Sequence, residues 1–336
     1  MTDDLRQRLC ALEDHLLTTL LAGRAAAAPL ELSVVTGRTT ADTIYGIDVI
    51  TDEALLPWFE TSWPATEAVE VVSEGLEQPV VIGKGEPQWT CIVDTIDGTR
   101  GLMYDKRSAW VLAAIAPAGG SLGSVVAAAM TEIPTTKQWA SDRFSVVRGA
   151  GLAGIVAERV DVTERIPAPT PLAVRPSPAI ELDHGFASFA RFLPQAKPLL
   201  ARFEERVFEL LYGGPVASDL SIFDDQYLST GGQFHELLVG HDRLLGDVRP
   251  LAFAELGLSG APACHPYDCC CALLLSEAGC TIVDPWGAPL DVPLDTTTPV
   301  AWVGVANRAL AERVLPAVHA AAAECFPRSA PRPQVP

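Results

Sequence analysis

The feature that most constrains this chain is Trp89-Thr-Cys-Ile-Val-Asp-Thr-Ile-Asp-Gly-Thr-Arg100, where an apolar run delivers two carboxylates, Asp94 and Asp97, into a Gly-Thr turn. Cys91 to Val93 reads as the end of a buried strand, and Gly98 permits a backbone turn that residues with a Cβ resist. Asp94 and Asp97 then emerge together at a strand's carboxyl end, with the Thr99 hydroxyl and neighbouring backbone N–H groups facing the same crevice. In an α/β sheet, ligands sit at that place. Two carboxylates this close repel unless a cation lies between them, and hard divalent ions such as Mg²⁺ favour oxygen ligands. The competing reading is an Asp-rich surface turn with Asp97-Gly98 as its corner.

With 336 residues, 49% of them hydrophobic, the chain can bury a sizeable core as one two-lobed domain or two domains. The net charge of −18 argues against a nucleic-acid polymer or an anionic membrane as partner. It would also repel a phosphorylated substrate unless metal or local Lys/Arg reverses the field. No apolar run approaches a membrane span, and Met1 to Asp4 lacks the basic start of a secretory signal, so a soluble cytoplasmic protein is expected. The cysteines (Cys10, Cys91, Cys264, Cys269, Cys270, Cys271, Cys280 and Cys325) follow neither a disulfide framework nor a zinc-site spacing. Most are expected to be reduced and buried, with the 269–271 triplet serving core packing.

Leucines 5, 9, 12, 16 and 20 have the spacing of an amphipathic helix, and a second helix is expected from Val49 to about Phe59. Asp48 falls in the first turn of that helix, where capping alone would account for it. Val69 to Val72 reads as a strand ending in Ser73-Glu74-Gly75, which repeats the design of Asp94; taken alone, Glu74 would be a loop acid. Trp110 to Ala116 and Ser124 to Met130 read as a hairpin, with strands around Trp139 and Val146-Val147 following, so antiparallel sheet is expected and a plain dinucleotide-binding unit is not. Prolines between Ile166 and Pro178 mark a lobe boundary, giving an N-terminal α+β lobe (1–170), a C-terminal α/β lobe (171–326) and a Pro-rich disordered tail (327–336).

In the second lobe, Phe186 to Leu211 carries helical periodicity with a break at Pro194 to Pro198. Thr230-Gly-Gly-Gln233 reads as a turn or a close helix–sheet approach in preference to a phosphate loop. Arg243 and Arg249 are candidates for anion binding or for surface pairing. Tyr267-Asp268 precedes a helix of about ten residues that Gly279 would cap, which puts Asp268 at the positive end of a helix dipole. Strands 281–283 and 301–305 and a helix from about Ala309 to Cys325 complete the pattern.

Taken together, Glu74, Asp94-x-x-Asp97-Gly98-Thr99 and Tyr267-Asp268 with its helix ending Glu277-Ala-Gly279 resemble the inositol monophosphatase and fructose-1,6-bisphosphatase superfamily over roughly residues 40 to 310. Asp42-Thr-Ile-Tyr-Gly-Ile-Asp48 is similar to that family's D-x-V-T-x-x-D element. The resemblance implies a layered αβαβα sandwich, the sugar-phosphatase fold, with a metal cluster between the lobes. It implies that Glu74, Asp94 and the Ile96 carbonyl hold one Mg²⁺, and that Asp94, Asp97 and Asp268 hold a second. Asp48 and Thr99 resemble the pair that orients the attacking water, with Glu74 assisting as base. Gly98, Thr99, Asp97, Asp268 and Arg100 are the implied substrate contacts, and Lys106 and Arg107 are candidates for neutralising phosphate.

Departures from the family pattern are Thr95 in place of Pro, Gly75 in place of a second Glu, and Tyr267 in place of Trp. Residues between Gly240 and Ala263 read as an insertion, and the family's substrate-contacting acid finds no match there. The function implied is Mg²⁺-dependent hydrolysis of a small phosphorylated polyol or sugar by a homodimer. The alternatives are fructose-1,6-bisphosphatase or 3′(2′),5′-bisphosphate nucleotidase activity, or a non-catalytic relative that binds a phosphorylated ligand.

Overall fold

The computed structural model describes residues 2–39, 43–163, 168–215, 219–258 and 260–330. Asp42 of the upstream element, Ile166 and Pro167 of the expected linker and the last six residues of the tail lie outside the described residues. From the N-terminus run α1 (Thr2–Ala26), α2 (Pro29–Leu32), a small hairpin of β1 (Val35–Arg38) and β2 (Thr43–Tyr45), and α3 (Gly46–Ser62). Strands β3 (Val69–Ser73), β4 (Val80–Ile82) and β5 (Trp89–Asp97) lead into the single turn α4 (Thr99–Leu102). The meander β6 (Ala109–Pro117), β7 (Ala127–Ile133), β8 (Ala140–Val147), β9 (Val156–Asp161) and β10 (Thr170–Pro171) follows.

Together β3 to β10 form one sheet in the order β10-β9-β8-β7-β6-β5-β3-β4, antiparallel throughout except where β3 runs parallel to β5. Both faces of this sheet are covered, which is why its central strands read as unbroken apolar runs. On β6 the even residues Trp110, Leu112 and Ala114 join one core, while the odd residues Ala109, Val111 and Ile115 join another. The odd face packs under α1 and α3; Leu5, Leu9, Leu12 and Leu16 of α1 are buried there, as their spacing requires.

The second half contains β11 (Gly185–Phe189), α5 (Lys197–Tyr212), β12 (Ile222–Phe223), α6 (Thr230–Val239), β13 (Asp242–Asp247) and α7 (Arg249–Leu256). It ends with α8 (Ala272–Glu277), β14 (Thr281–Val283), β15 (Trp302–Val305) and α9 (Arg308–Cys325). Its sheet has the order β12-β11-β13-β15-β14. Helices α6 and α8 lie between the two sheets, and α5 and α9 cover the outer face of the smaller one. The stack is therefore helix, sheet, helix, sheet, helix, the expected αβαβα sandwich. No helix of the described residues is long and apolar enough to cross a membrane.

Three expectations are corrected. The periodicity from Phe186 is a strand, β11, paired in parallel with β12 and β13; the helix starts only at Lys197, with Pro198 in its first turn. Of residues 240–263, read as an insertion, 242–247 belong to the frame of the fold, because β13 is the central strand of the second sheet, flanked by β11 and β15. Its short Leu244-Leu245 apolar run is too brief to announce a strand. The helix after Asp268 is also shorter and later than expected. Asp268 Oδ2 accepts the His265 N–H at 2.6 Å, folding this stretch into turns before α8 begins at Ala272. Cys269, Cys270 and Cys271 pack in the inter-sheet core without disulfides, as their reading supposed. At the chain's end, Arg328 ties the start of the Pro-rich tail to Glu255 of α7.

Candidate metal centre and its cleft

Residues three apart on a regular strand face opposite sides of a sheet. Asp94 and Asp97 escape that rule through a β-bulge: Asp94 pairs with Leu112 and Asp97 with Trp110, so β5 covers in three steps what β6 covers in two. The extra residue restores the parity. Leu112 and Trp110 both face the inter-sheet core, and the carboxylates paired with them face the same way, while Val93 and Ile96 turn to the α1/α3 side. Gly98 then enters α4 in the left-handed region (φ 99°), and a Cβ there would meet Ser229 Cβ at 3.0 Å and the Leu228 carbonyl at 3.2 Å. Only glycine satisfies both demands.

From the second half of the chain, Asp268 completes a trio. Oxygens of Asp94, Asp97 and Asp268 lie within 4.8 Å of one another. Burial pushes the Asp94 carboxyl well above the usual range, and the charges of Glu74, Asp97 and Asp268 add to this. Asp268 is raised in the same way, by burial and then by Asp97. Asp97 is pushed up to about 6 by burial, although three donors from the start of α6 oppose it. These are the Ser229 hydroxyl (2.7 Å) and the backbone N–H groups of Thr230 (3.2 Å) and Gly231. Gly231 allows that approach, since a Cβ there would stand 2.6 Å from Leu112 Cδ2. The Gly-Gly pair is thus the close helix–sheet contact expected, and Ser229 is also the N-cap, accepting the Gly232 N–H at 2.9 Å.

Three oxygen-only ligands, two buried and Asp268 partly so, whose charged forms are disfavoured by burial and by one another, fit a hard divalent cation, whose charge would offset both effects. Glu74 lines the same cleft and acts on Asp94 by its charge, though it is not part of the group within 4.8 Å. Ile96 lines it too, its carbonyl accepting from the Thr99 hydroxyl at 2.8 Å. That hydroxyl is also 2.9 Å from Asp48 Oδ1. Having one proton, it donates to one of them at a time. Asp48 performs the capping role as well, Oδ2 accepting the Tyr45 N–H at 2.8 Å, so the cap and the contact with Thr99 coexist on one carboxylate.

Gly98, Thr99 and Arg100 line the cleft with the acids. Lys106 and Arg107 line an adjoining depression, and Arg107 is clamped by Asp225 at 2.9 and 2.6 Å. Arg243 is turned to the carbonyls of Glu181, Asp183 and His184, away from the cleft. Arg249 is buried on the cleft wall, with Asp247 as its partner, where surface pairing was one reading. The donors of Ser229 and Gly231 were missed in sequence; a Ser directly before Thr-Gly-Gly and an apolar helix is the available signal.

The fold is that of the inositol monophosphatase and fructose-1,6-bisphosphatase superfamily. The chain is similar to SuhB of Mycobacterium tuberculosis at a TM-score of 0.60 and 15% identity, covering 95% of this chain and 97% of that one. It matches fructose-1,6-bisphosphatase of Leishmania major at a TM-score of 0.63 and 13% identity, covering 94% and 91%. An IMPase of Thermotoga maritima matches at 0.59 and 14% identity, covering 96% and 99%. No protein-family model matches the sequence, and no curated protein matches it.

Proposed function

We propose that this protein is a divalent-metal-dependent phosphomonoesterase, with Mg²⁺ as the metal and a small phosphorylated polyol or sugar as the substrate. The observation that carries the reading is the convergence of Asp94, Asp97 and Asp268, from the two halves of the chain, in one cleft. Asp94, Asp97, Asp268, Glu74 and the Ile96 carbonyl are the residues that would hold metal. When bound, divalent ions lower the pKa of water and neutralise charge on phosphoryl and leaving oxygens.

The chain's own residues then have separable tasks. By donating to Asp48 or to the Ile96 carbonyl, the Thr99 hydroxyl keeps its lone pairs available to accept from a water and fix its direction. Asp48 and Glu74 are the carboxylates able to take the proton which that water loses. Its oxygen forms the new bond to phosphorus, the ester P–O bond breaks, and the alcohol leaves with a proton. Backbone N–H groups at Gly98 and Thr99, with Arg100, are the candidates for holding phosphate oxygens. A homodimer remains the quaternary expectation, open to analytical ultracentrifugation.

The test is phosphate release from inositol 1-phosphate, fructose 1,6-bisphosphate, adenosine 3′,5′-bisphosphate and NADP, with Mg²⁺ and with EDTA. Release from at least one ester, abolished by EDTA and by Asp94→Asn in a folded protein, is the expected result. Silence across the panel in protein that binds Mg²⁺ would instead support a non-catalytic phosphate-ligand binder.

A further inference from the structure

The cleft wall contributed by the second half of the chain holds a guanidinium that the chemistry above does not use. Arg249 begins α7 directly after β13 and is only 7% exposed. Its Nε lies 2.9 Å from both carboxylate oxygens of Asp247, Nη2 donates to Asp247 Oδ2, and Nη1 donates to the Pro262 carbonyl at 3.1 Å. The guanidinium carbon stands 4.4 Å from the centre of the Phe192 ring. An arginine has five N–H donors. These bonds engage three of them, so one hydrogen on each terminal nitrogen is left, its direction set by the other three.

That geometry is a pre-oriented anion fork. Arg249, Phe192, Pro262 and Ala263 line the same cleft as the three aspartates. The arginine is close enough for its charge to ease the ionisation of Asp97 and Asp268 against their burial. The reacting phosphate belongs at the aspartate end. Around Arg249 the wall is Phe192, Pro262 and Ala263, whose apolar surfaces suit a carbon skeleton. A cation set among those apolar surfaces matches a charge on the part of the substrate that departs.

We propose that Arg249 is a specificity residue that recognises a second anionic group, phosphate or carboxylate, on the leaving alcohol. The inference rests on the phosphatase reading and narrows it to esters whose alcohol portion is itself anionic. Asp247 holds the fork in place and is a positioning residue.

The test uses the Mg²⁺-loaded full chain and three phosphonates that no phosphatase can cleave: propane-1,3-bisphosphonate, 3-phosphonopropionate and propylphosphonate. Calorimetric titration of the native protein should show one or both dianionic-ended probes binding roughly 10- to 100-fold tighter than propylphosphonate. Whichever of the two is preferred identifies the second group as phosphate or carboxylate. Arg249→Lys keeps a cation for Asp247, and Asp247→Asn/Arg249→Gln removes both charges together, so neither leaves an orphaned buried charge. Both variants should lose the margin while propylphosphonate affinity moves by less than about threefold. On esters, the loss should fall on KM for bis-anionic substrates and spare monophosphates.

Equal binding of all three probes by the native protein, or an equal loss for all three in both variants, overturns the proposal. Because the phosphonates are inert, the failures of the two readings are distinguishable. Ester turnover without Arg249-dependent binding removes this inference alone, and Arg249-dependent binding without turnover of any ester removes the phosphatase reading and the leaving-alcohol role with it, leaving only an anion subsite.

Discussion

Asp52 fills the space that a side chain on Gly75 would need: a Cβ at residue 75 would stand 2.4 Å from the Asp52 carboxyl carbon. The same carboxylate accepts a hydrogen bond from Thr95 Oγ1 at 3.1 Å, and burial pushes it up to about 6. Thr95 and Gly75, two departures from the family pattern, therefore meet on one side chain of α3. Gly75→Ala should destabilise by about 1–3 kcal/mol because Asp52 must abandon its place beside Thr95. In Gly75→Ala/Asp52→Ser the cost should be smaller than the sum of the single changes, as measured by denaturant midpoints. Strict additivity would mean that the two residues do not compete for this space.

Ser229 serves two masters, donating to Asp97 and capping α6. Ser229→Ala should cost about 1 kcal/mol of stability through the lost cap. It should also raise the proton affinity of Asp97 and weaken Mg²⁺ binding roughly tenfold, as expected when a hydrogen-bond partner of a ligand is removed. Calorimetric Mg²⁺ titration separates the two effects, and unchanged affinity would show that Asp97 does not hold the metal.

Cys270 is fully buried in the inter-sheet core. Cys270→Ser places a hydroxyl among apolar neighbours at a cost of about 1–3 kcal/mol, so the thermal midpoint should drop while turnover stays within a few-fold. Cys270→Ala should be milder. Complete loss of activity in a folded Cys270→Ser protein would give the thiol a role that packing does not.

Three groups away from the aspartate trio contribute to the pH response of the fold in the same direction as Asp52. Burial pushes Glu204 and Asp242 each up to about 7, while His235, disfavoured as a cation by burial, is carried up to about 9 by Asp142 and Glu236. Every one of these shifts is upward from the ordinary value. Each contribution to stability is therefore complete below that value and lost as pH rises through the folded one: between about 4 and 7 for the carboxyls, and between about 6.5 and 9 for His235. The thermal midpoint of EDTA-treated protein should fall from pH 5 to pH 9, and Asp242→Asn should flatten the first part of the fall. A midpoint that rises over this range contradicts the assignment.

The sequence made some layers of this site readable and hid others. Local order was visible: an apolar strand before Asp94, the glycine that turns the chain at 98, and the capping position of Asp48. What stayed hidden depends on partners distant in sequence. β11 resembled a helix because helices cover both faces of its sheet, so that four of its five residues are buried and strict alternation is lost. β13 is central only because β11 and β15 flank it. Arg249 could be named from sequence, but its burial depends on Asp247, Phe192 and Pro262 coming together in the fold.

The bulge between Asp94 and Asp97 makes the chemistry of the cleft a matter of counting. Three residues apart, the two acids share a face only because β5 bulges against β6. A change between them that kept the length but straightened the strand would turn Asp97 through the sheet toward the leucines of α1, with both acids still present in the chain. Losing one residue would instead leave the acids two apart, on one face of a regular strand. Selection on this segment should accordingly act on spacing and bulge together, and not on the two acids alone.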